Sequence, residues 1–462
     1  MVTATTINIA YGRPSLTPCS ATCDIMKMQA LADDVQEALG TYAANDAIKL
    51  CGQASLHVIT THPEKVMDLA HGRLHAFPYK DVPEQWRRLF EDASLHKVVK
   101  LLRANSKDTD LEPNAKRRKT EHTVVASNTN DDWLQAVVDV LDRGLSLSGA
   151  PGRSAIFDHV FEQLHQLTVD ETEAEERESF NLEKPKVLVS EYPIDRTSEP
   201  LDLEGFQTRL DTDRTPFIIT GAIEEWPARR SWNNPSHLLR HTLGGRRLVP
   251  VEVGESYVAD GWSQRMMPMR EFIATYLIPT TPLETGYLAQ YDLFAQIPAL
   301  RDDISIPDYC YSTPPPADAD ALKTTGLASV QQLDEPLLNA WLGPKGTKTP
   351  LHTDPYHNIL CQVVGYKYVR LYPPRETGRL YPRGVDEKGI SMHNTSQVDM
   401  SRLWKDARAE DVERISQMFP LFRKAEYVEG IIRPGDSLYV PLGWWHYVES
   451  LSTSFSTSFW WN

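Results

Sequence analysis

Residues 349–358 read TPLHTDPYHN and residues 434–450 read PGDSLYVPLGWWHYVES. In the first stretch His352 and Asp354 stand two positions apart, after one proline and before another. The residue preceding a proline favours extended backbone. Extended chain turns alternate side chains to the same side, so an imidazole and a carboxylate at this spacing can take adjacent positions on one metal ion. A lone His-x-Asp tripeptide arises often by chance, and the reading needs a third ligand from elsewhere.

The second stretch supplies it. Gly435, five residues, Pro441, one residue, Gly443, two residues and His446 follow the spacing of the second motif of cupin folds: a turn, a strand, a tight reversal and an inward histidine. Without that frame, a histidine between tryptophans and a tyrosine reads as a packed core residue. Two histidines and one carboxylate form the facial triad of non-haem iron(II) oxygenases, which leaves positions open for a bidentate cosubstrate and dioxygen. Zinc more typically adds a fourth protein ligand or one water in a tetrahedral site. Iron is the better match.

In YKYVRLYPP, residues 366–374, a strand sets Lys367, Val369 and Leu371 on one face. A lysine buried with aliphatic neighbours needs an anion. If strands surround the metal, the distal carboxylate of 2-oxoglutarate is its natural partner, with the Thr349 hydroxyl alongside; the alternative is a lysine snorkelling at a strand end. Ser454, Ser456 and Ser458 alternate with Phe455, Thr457 and Phe459, the period of a strand. Its serine face either lines a pocket or faces solvent.

Outward from these motifs, residues 184–462 are rich in short β-type runs such as TPFIITG, RRLVPVEV and DSLYVP, broken by Pro and Gly turns. The preceding part is helical: apolar residues return every three or four positions across 24–104, and again in DDWLQAVVDVLDRGL and AIFDHVFEQLHQL. We read 1–104 as the first part of a helical domain, 105–130 as a flexible linker, and 131–183 as the second helical part ending in the acidic run DETEAEERES. The first linker carries the basic cluster Lys116, Arg117, Arg118 and Lys119, a pattern found both in nuclear import signals and on solvated loops.

The net charge of −15 disfavours phosphate backbones and anionic lipid and suits basic peptides, though it also serves plain solubility. No apolar run approaches the length needed to span a bilayer and the N-terminus has no basic start, so neither secretion nor a membrane span is expected. Five scattered cysteines read as free thiols of a reducing compartment.

The segments NAWLGPKGTKTPLHTDPYHNILCQVVGYKYVRLYPP, MHNTSQVD and PGDSLYVPLGWWHYVESLSTSFSTSFWW resemble the JmjC-domain 2-oxoglutarate oxygenases, and the resemblance runs over roughly residues 195–462. It implies an α+β chain in which the N-terminal helical domain precedes a double-stranded β-helix, the cupin-like jelly roll. It also implies Fe(II), 2-oxoglutarate and dioxygen as cofactors. By the same resemblance His352, Asp354 and His446 hold iron, Thr349 and Lys367 bind the distal carboxylate, Tyr287 and Asn358 make further cosubstrate contacts, and Trp460 lies close by. The implied activity is hydroxylation of arginine side chains in a basic protein or peptide substrate, with Glu252, Tyr257, Trp262 and Trp341 forming the pocket. Carboxylate and flat aromatic surfaces suit a guanidinium. Ordinary core packing for the tryptophans and a surface charge for Glu252 are the plain alternatives.

Two other functions stand beside it: histone methyl-lysine demethylation by the same chemistry, and a chromatin or cell-cycle scaffold without turnover. The expected location is nuclear, with the cytoplasm also open, and no direct nucleic-acid or membrane partner. The stretch STPPPADADALKTTGLASV, residues 312–330, departs from the family pattern as an insertion just before the site.

Overall fold

The computed structural model describes residues 18–40, 42–78, 81–107, 129–172, 179–258, 261–316, 330, 332–385, 391–404 and 407–462. The basic cluster, most of the first linker and most of the insertion lie outside these residues. The chain divides into two compact units, 1–169 and 170–462.

The first unit is helical: α1 Pro18–Leu39, α2 Gln53–Val58, α3 Pro63–Leu74, α4 Glu84–Lys107, α5 Thr129–Ser148 and α6 Ser154–Thr172. Helix α4 is central and packs against α1, α3 and α5. Its apolar residues Leu89, Phe90, Ala93, Val98, Val99 and Leu102 are buried, and so are Arg88, Glu91 and Asp92 between them. Buried charge requires partners. Arg88 reaches Asp92 at 2.9 Å and Asp46 at 3.0 Å and also pairs with Glu91, while Arg153 joins Asp92 at 3.2 Å.

The second unit opens with β1 Asp195–Arg196, α7 Leu203–Thr212, β2 Phe217–Ile219, α8 Ala228–Ser231, α9 Pro235–Arg240, β3 Leu248–Val253, β4 Ser263–Pro268 and β5 Gly286–Tyr291. The barrel strands follow: β6 Leu337–Gly343, β7 Lys348–Thr353, β8 His357–Val364, β9 Lys367–Tyr372, β10 Val428–Ile432, β11 Ser437–Val440, β12 Trp445–Ser450 and β13 Ser454–Trp461. They form a nine-stranded sheet in the order β1-β2-β11-β8-β13-β6-β5-β3-β4 and a four-stranded sheet in the order β10-β9-β12-β7. All named pairings except β1 with β2 are antiparallel. This is the cupin-like jelly roll expected, preceded by helices.

Three apolar layers hold it. Val369, Leu371, Leu360, Leu438, Val440 and Val448 pack in one cluster contributed by both sheets. Phe455 and Phe459 of β13 join Phe206, Trp232 and Phe272 in a second cluster, and Tyr368 and Tyr372 join Trp445 and Tyr447 in a third. Alternate residues of β9 and β13 thus serve opposite faces, as the period of two requires. The serine row of β13 does not face solvent. Ser454, Ser456 and Ser458 are buried, and Ser456 Oγ donates to Gln362 Oε1 at 2.7 Å.

The two glycines of the second motif earn their places in the backbone. Gly435 has φ 98° and Gly443 φ 80°, both in the region where a Cβ is costly. They make the reversals on either side of β11 that return the chain to β12. Among the described residues no helix is long and apolar enough to cross a membrane.

Candidate active site

Strands β7 and β12 place His352 directly opposite His446, with ring centroids 4.2 Å apart. Asp354, just beyond β7, returns to the same side as the extended reading requires. Its Oδ1 lies 3.5 Å from His352 Nε2 and its Oδ2 3.5 Å from His446 Nε2. Both rings are oriented from behind: His352 Nδ1 donates to the Pro350 carbonyl at 2.8 Å and His446 Nδ1 to the Trp444 carbonyl at 3.2 Å. With Nδ1 the donor in these bonds, each Nε2 is turned to the carboxylate, free to ligate a metal or, without one, to hydrogen-bond Asp354, the arrangement used by metal-ligating histidines. The three ligand atoms lie within 4.8 Å of one another and all three residues are buried. Burial opposes charge on Asp354, yet the facing imidazoles hold its carboxyl well below the usual carboxylate range. This donor set fits a non-haem iron(II) ion.

Thr349 shares the cavity with His352, although they stand three positions apart and strict alternation would part them. The register explains it. Val448 pairs with Thr349 while His446 pairs with His352, so Pro350 and Leu351 oppose the single residue Tyr447. This is a β-bulge, placed where a proline has no N–H to give the ladder.

The same cavity extends to Lys367, Tyr287, Asn358 and Trp341, with Leu360, Val369, Leu438, Val440 and Val448 as its apolar wall. Lys367 is only 2% exposed. Its Nζ lies 3.4 Å from the Tyr287 hydroxyl, which also bonds Thr349. No carboxylate among the described residues pairs with it, and burial pulls its ammonium down to about 7. The buried Asn358 Oδ1 and Thr353 Oγ1 have no hydrogen-bond partner. An ammonium without an anion beside the Tyr287 and Thr349 hydroxyls suits a small dicarboxylate. Trp460 sits opposite Asn358 in the sheet and stacks on Tyr356 with centroids 5.8 Å apart. It is not part of the cavity wall.

Of the expected substrate residues, only Trp341 lines this cavity, and its Nε1 donates to Ser458 Oγ at 2.9 Å. Glu252 pairs with Tyr287 across β3 and β5, so the two side chains share a sheet face. Trp262 Nε1 donates to Glu252 Oε2 at 3.2 Å, and burial raises the Glu252 pKa. Tyr257 is raised first by burial and further by the nearby charges of Asp354 and Glu252.

Sequence reasoning gave no role to Thr395. It forms a bridge with His352 along the open edge of β7, and its Oγ1 lies 3.4 Å from the Tyr257 hydroxyl. Its segment, MHNTSQVD, carries no periodicity that would reveal a strand-like role.

Residues 204–462 match the family model of the cupin-like domain. The chain is 32% identical over 414 residues to lysine-specific demethylase 8 of Danio rerio, covering 90% of each. It is 33% identical over 403 residues to Jumonji C domain-containing protein 5 of Drosophila melanogaster, covering 84% of this chain and 83% of that protein. With lysine-specific demethylase JMJ30 of Arabidopsis thaliana it shares 41% identity over 263 residues, 57% of this chain and 53% of that one. A family that uses Fe(II) and 2-oxoglutarate is the one whose chemistry the His-Asp-His cluster and the buried lysine fit. The chain belongs to the cupin-like JmjC family of 2-oxoglutarate oxygenases.

Proposed function

We propose that this oxygenase hydroxylates arginine side chains of basic protein substrates, with His352, Asp354 and His446 as iron ligands and Lys367, Thr349, Tyr287 and Asn358 binding 2-oxoglutarate. When bound, iron, cosubstrate and dioxygen supply the oxidant that takes hydrogen from a substrate carbon and leaves a hydroxyl there. The chain's own residues orient and exclude. Lys367 and the hydroxyls of Tyr287 and Thr349 fix the distal carboxylate, the Nδ1 hydrogen bonds hold both imidazoles in the ligating tautomer, and the aliphatic wall keeps water from the reacting centre. Trp460, off the cavity wall, supports Asn358 from the adjoining strand.

Glu252 carries the arginine assignment. It is a half-buried carboxylate with no cationic partner among the described residues, capped by the Trp262 indole and set on the face of Tyr287. A guanidinium fills such a place with planar donors and an aromatic-stacking face. The named relatives favour a second reading, lysine demethylation, in which hydroxylation of an N-methyl group leads to formaldehyde loss. A tertiary or quaternary ammonium has one N–H or none to give a carboxylate, against the planar fork of a guanidinium, and is better served by an aromatic cage. A non-catalytic scaffold has no use for an intact triad joined to a buried lysine. The acidic net charge of −15 suits a basic partner; a chromatin substrate would place the enzyme in the nucleus, and a ribosomal one leaves the cytoplasm open as well.

Glu252→Gln keeps the shape and removes the charge. A charge-assisted bond contributes about 1.5–3 kcal/mol, so KM for an arginine peptide should rise roughly 10- to 100-fold, with KM for 2-oxoglutarate unchanged. In the parent enzyme the arginine KM should also rise as acid protonates Glu252, starting at a higher pH than for an ordinary carboxylate. An unchanged peptide KM, or better turnover of dimethyl-lysine than of arginine, would remove arginine from the assignment.

A further inference from the structure

A second set of metal-ligand side chains lies apart from the triad and takes no part in the chemistry above. His237 on α9 and His241 at its C-terminal end are four residues apart and therefore share a helix face. Their rings meet edge to face with centroids 4.3 Å apart. Asp303 comes from a distant turn and sets Oδ2 2.7 Å from His237 Nε2. Ligand atoms of all three lie within 4.8 Å of one another.

Asp303 is held in place from behind. Trp232 Nε1 donates to its Oδ2 at 2.8 Å, and its backbone carbonyl accepts from Ala228 N at 3.0 Å. The hydrogen bonds of His237 and Trp232 to Asp303 already tie α9 to this turn without His241. A second imidazole beside the same carboxylate is the pattern of a ligand set: two histidines at i and i+4, an acidic ligand from another segment and an outer donor to that carboxylate.

The geometry points to a divalent transition-metal site formed by His237, His241 and Asp303, for which zinc serves as the probe. Imidazole and carboxylate are zinc ligands, and three of them leave a fourth tetrahedral position for water. His237 and Asp303 are 16% and 13% exposed in their side chains, so solvent reaches that position. Metal here clamps α8, α9 and the Asp303 turn together, and its binding energy adds to the stability of this part of the fold.

The test uses the full chain carrying His352→Ala and Asp354→Ala, stripped of metal and titrated with zinc against a chromophoric chelator. One equivalent of zinc should bind and raise the melting temperature, and the parent chain should bind two. Adding His241→Ala or, separately, Asp303→Asn should remove that equivalent and the zinc-dependent temperature rise, each read against the metal-free melting temperature of the same variant. Trp232→Phe should weaken binding by about 10- to 100-fold, the usual effect of losing an outer-shell partner. No zinc bound in the triad-deficient chain would overturn the assignment. So would one equivalent that survives both His241→Ala and Asp303→Asn.

Discussion

Lys367→Met should cut turnover sharply at ordinary 2-oxoglutarate concentrations and at the same time raise the melting temperature of the cofactor-free protein. The two effects have one cause. Lys367 is buried with a hydroxyl and aliphatic residues, and its ammonium falls to about 7 because burial removes it from water. An unfolded lysine titrates near pH 10.4, so from about pH 7 to 10 the unfolded chain binds the extra proton. Stability of the cofactor-free enzyme should therefore climb with pH across that window. Below it, the deficit amounts to roughly 3–5 kcal/mol. Methionine fills similar space without charge, so the variant should lose this slope and melt higher at neutral pH.

With 2-oxoglutarate present the sign reverses, because the carboxylate now leaves water for a site with no ammonium. Breaking such a buried pair costs about 3–5 kcal/mol, which corresponds to a rise of about 100- to 1,000-fold or more in KM for 2-oxoglutarate. Melting curves from pH 6 to 10 and cosubstrate kinetics check both halves. A normal KM for 2-oxoglutarate in Lys367→Met would place the distal carboxylate elsewhere.

Asp354→Ala should empty the centre of metal. The carboxylate lies between the two Nε2 atoms at 3.5 Å from each, and without it two imidazoles remain. Loss of a ligand should exceed the ~10- to 100-fold affinity loss typical of an outer-shell partner. Iron retained after dialysis should fall from one per chain to background, and turnover with it. The imidazoles keep their backbone hydrogen bonds, so the fold should survive. Burial disfavours the charged form of His352, but Asp354 raises its pKa overall; in the variant that carboxylate is gone and the ring should stay neutral to lower pH. A variant that keeps full cellular function without bound iron would favour the scaffold reading.

The triad was legible because its signals are local. His352 and Asp354 lie in one extended run, and Gly435, Pro441 and Gly443 frame His446 with residues whose backbone demands are strict. The same parity argument set Lys367, Val369 and Leu371 on one face. It does not extend from His352 to Thr349, because parity breaks at a bulge and only the pairing register shows where that is. The serine row of β13 was ambiguous for a related reason: period two separates faces without saying which is outside. In the helical unit, the periodicity marked helices but not the buried ion pairs of Arg88, whose residue types resemble those of a solvated face. His237, His241 and Asp303 were also missed, since the acid lies 66 positions from His237 and a six-residue helix leaves little periodic signal.

Iron-loaded enzyme, given 2-oxoglutarate and isotopically heavy dioxygen with matched basic peptides bearing either arginine or dimethyl-lysine, tests the arginine assignment by mass spectrometry. One heavy oxygen atom gained on the arginine is the expected product, with the dimethyl-lysine peptide unchanged. Loss of a methyl group from lysine with arginine untouched would contradict it and make the chain a demethylase.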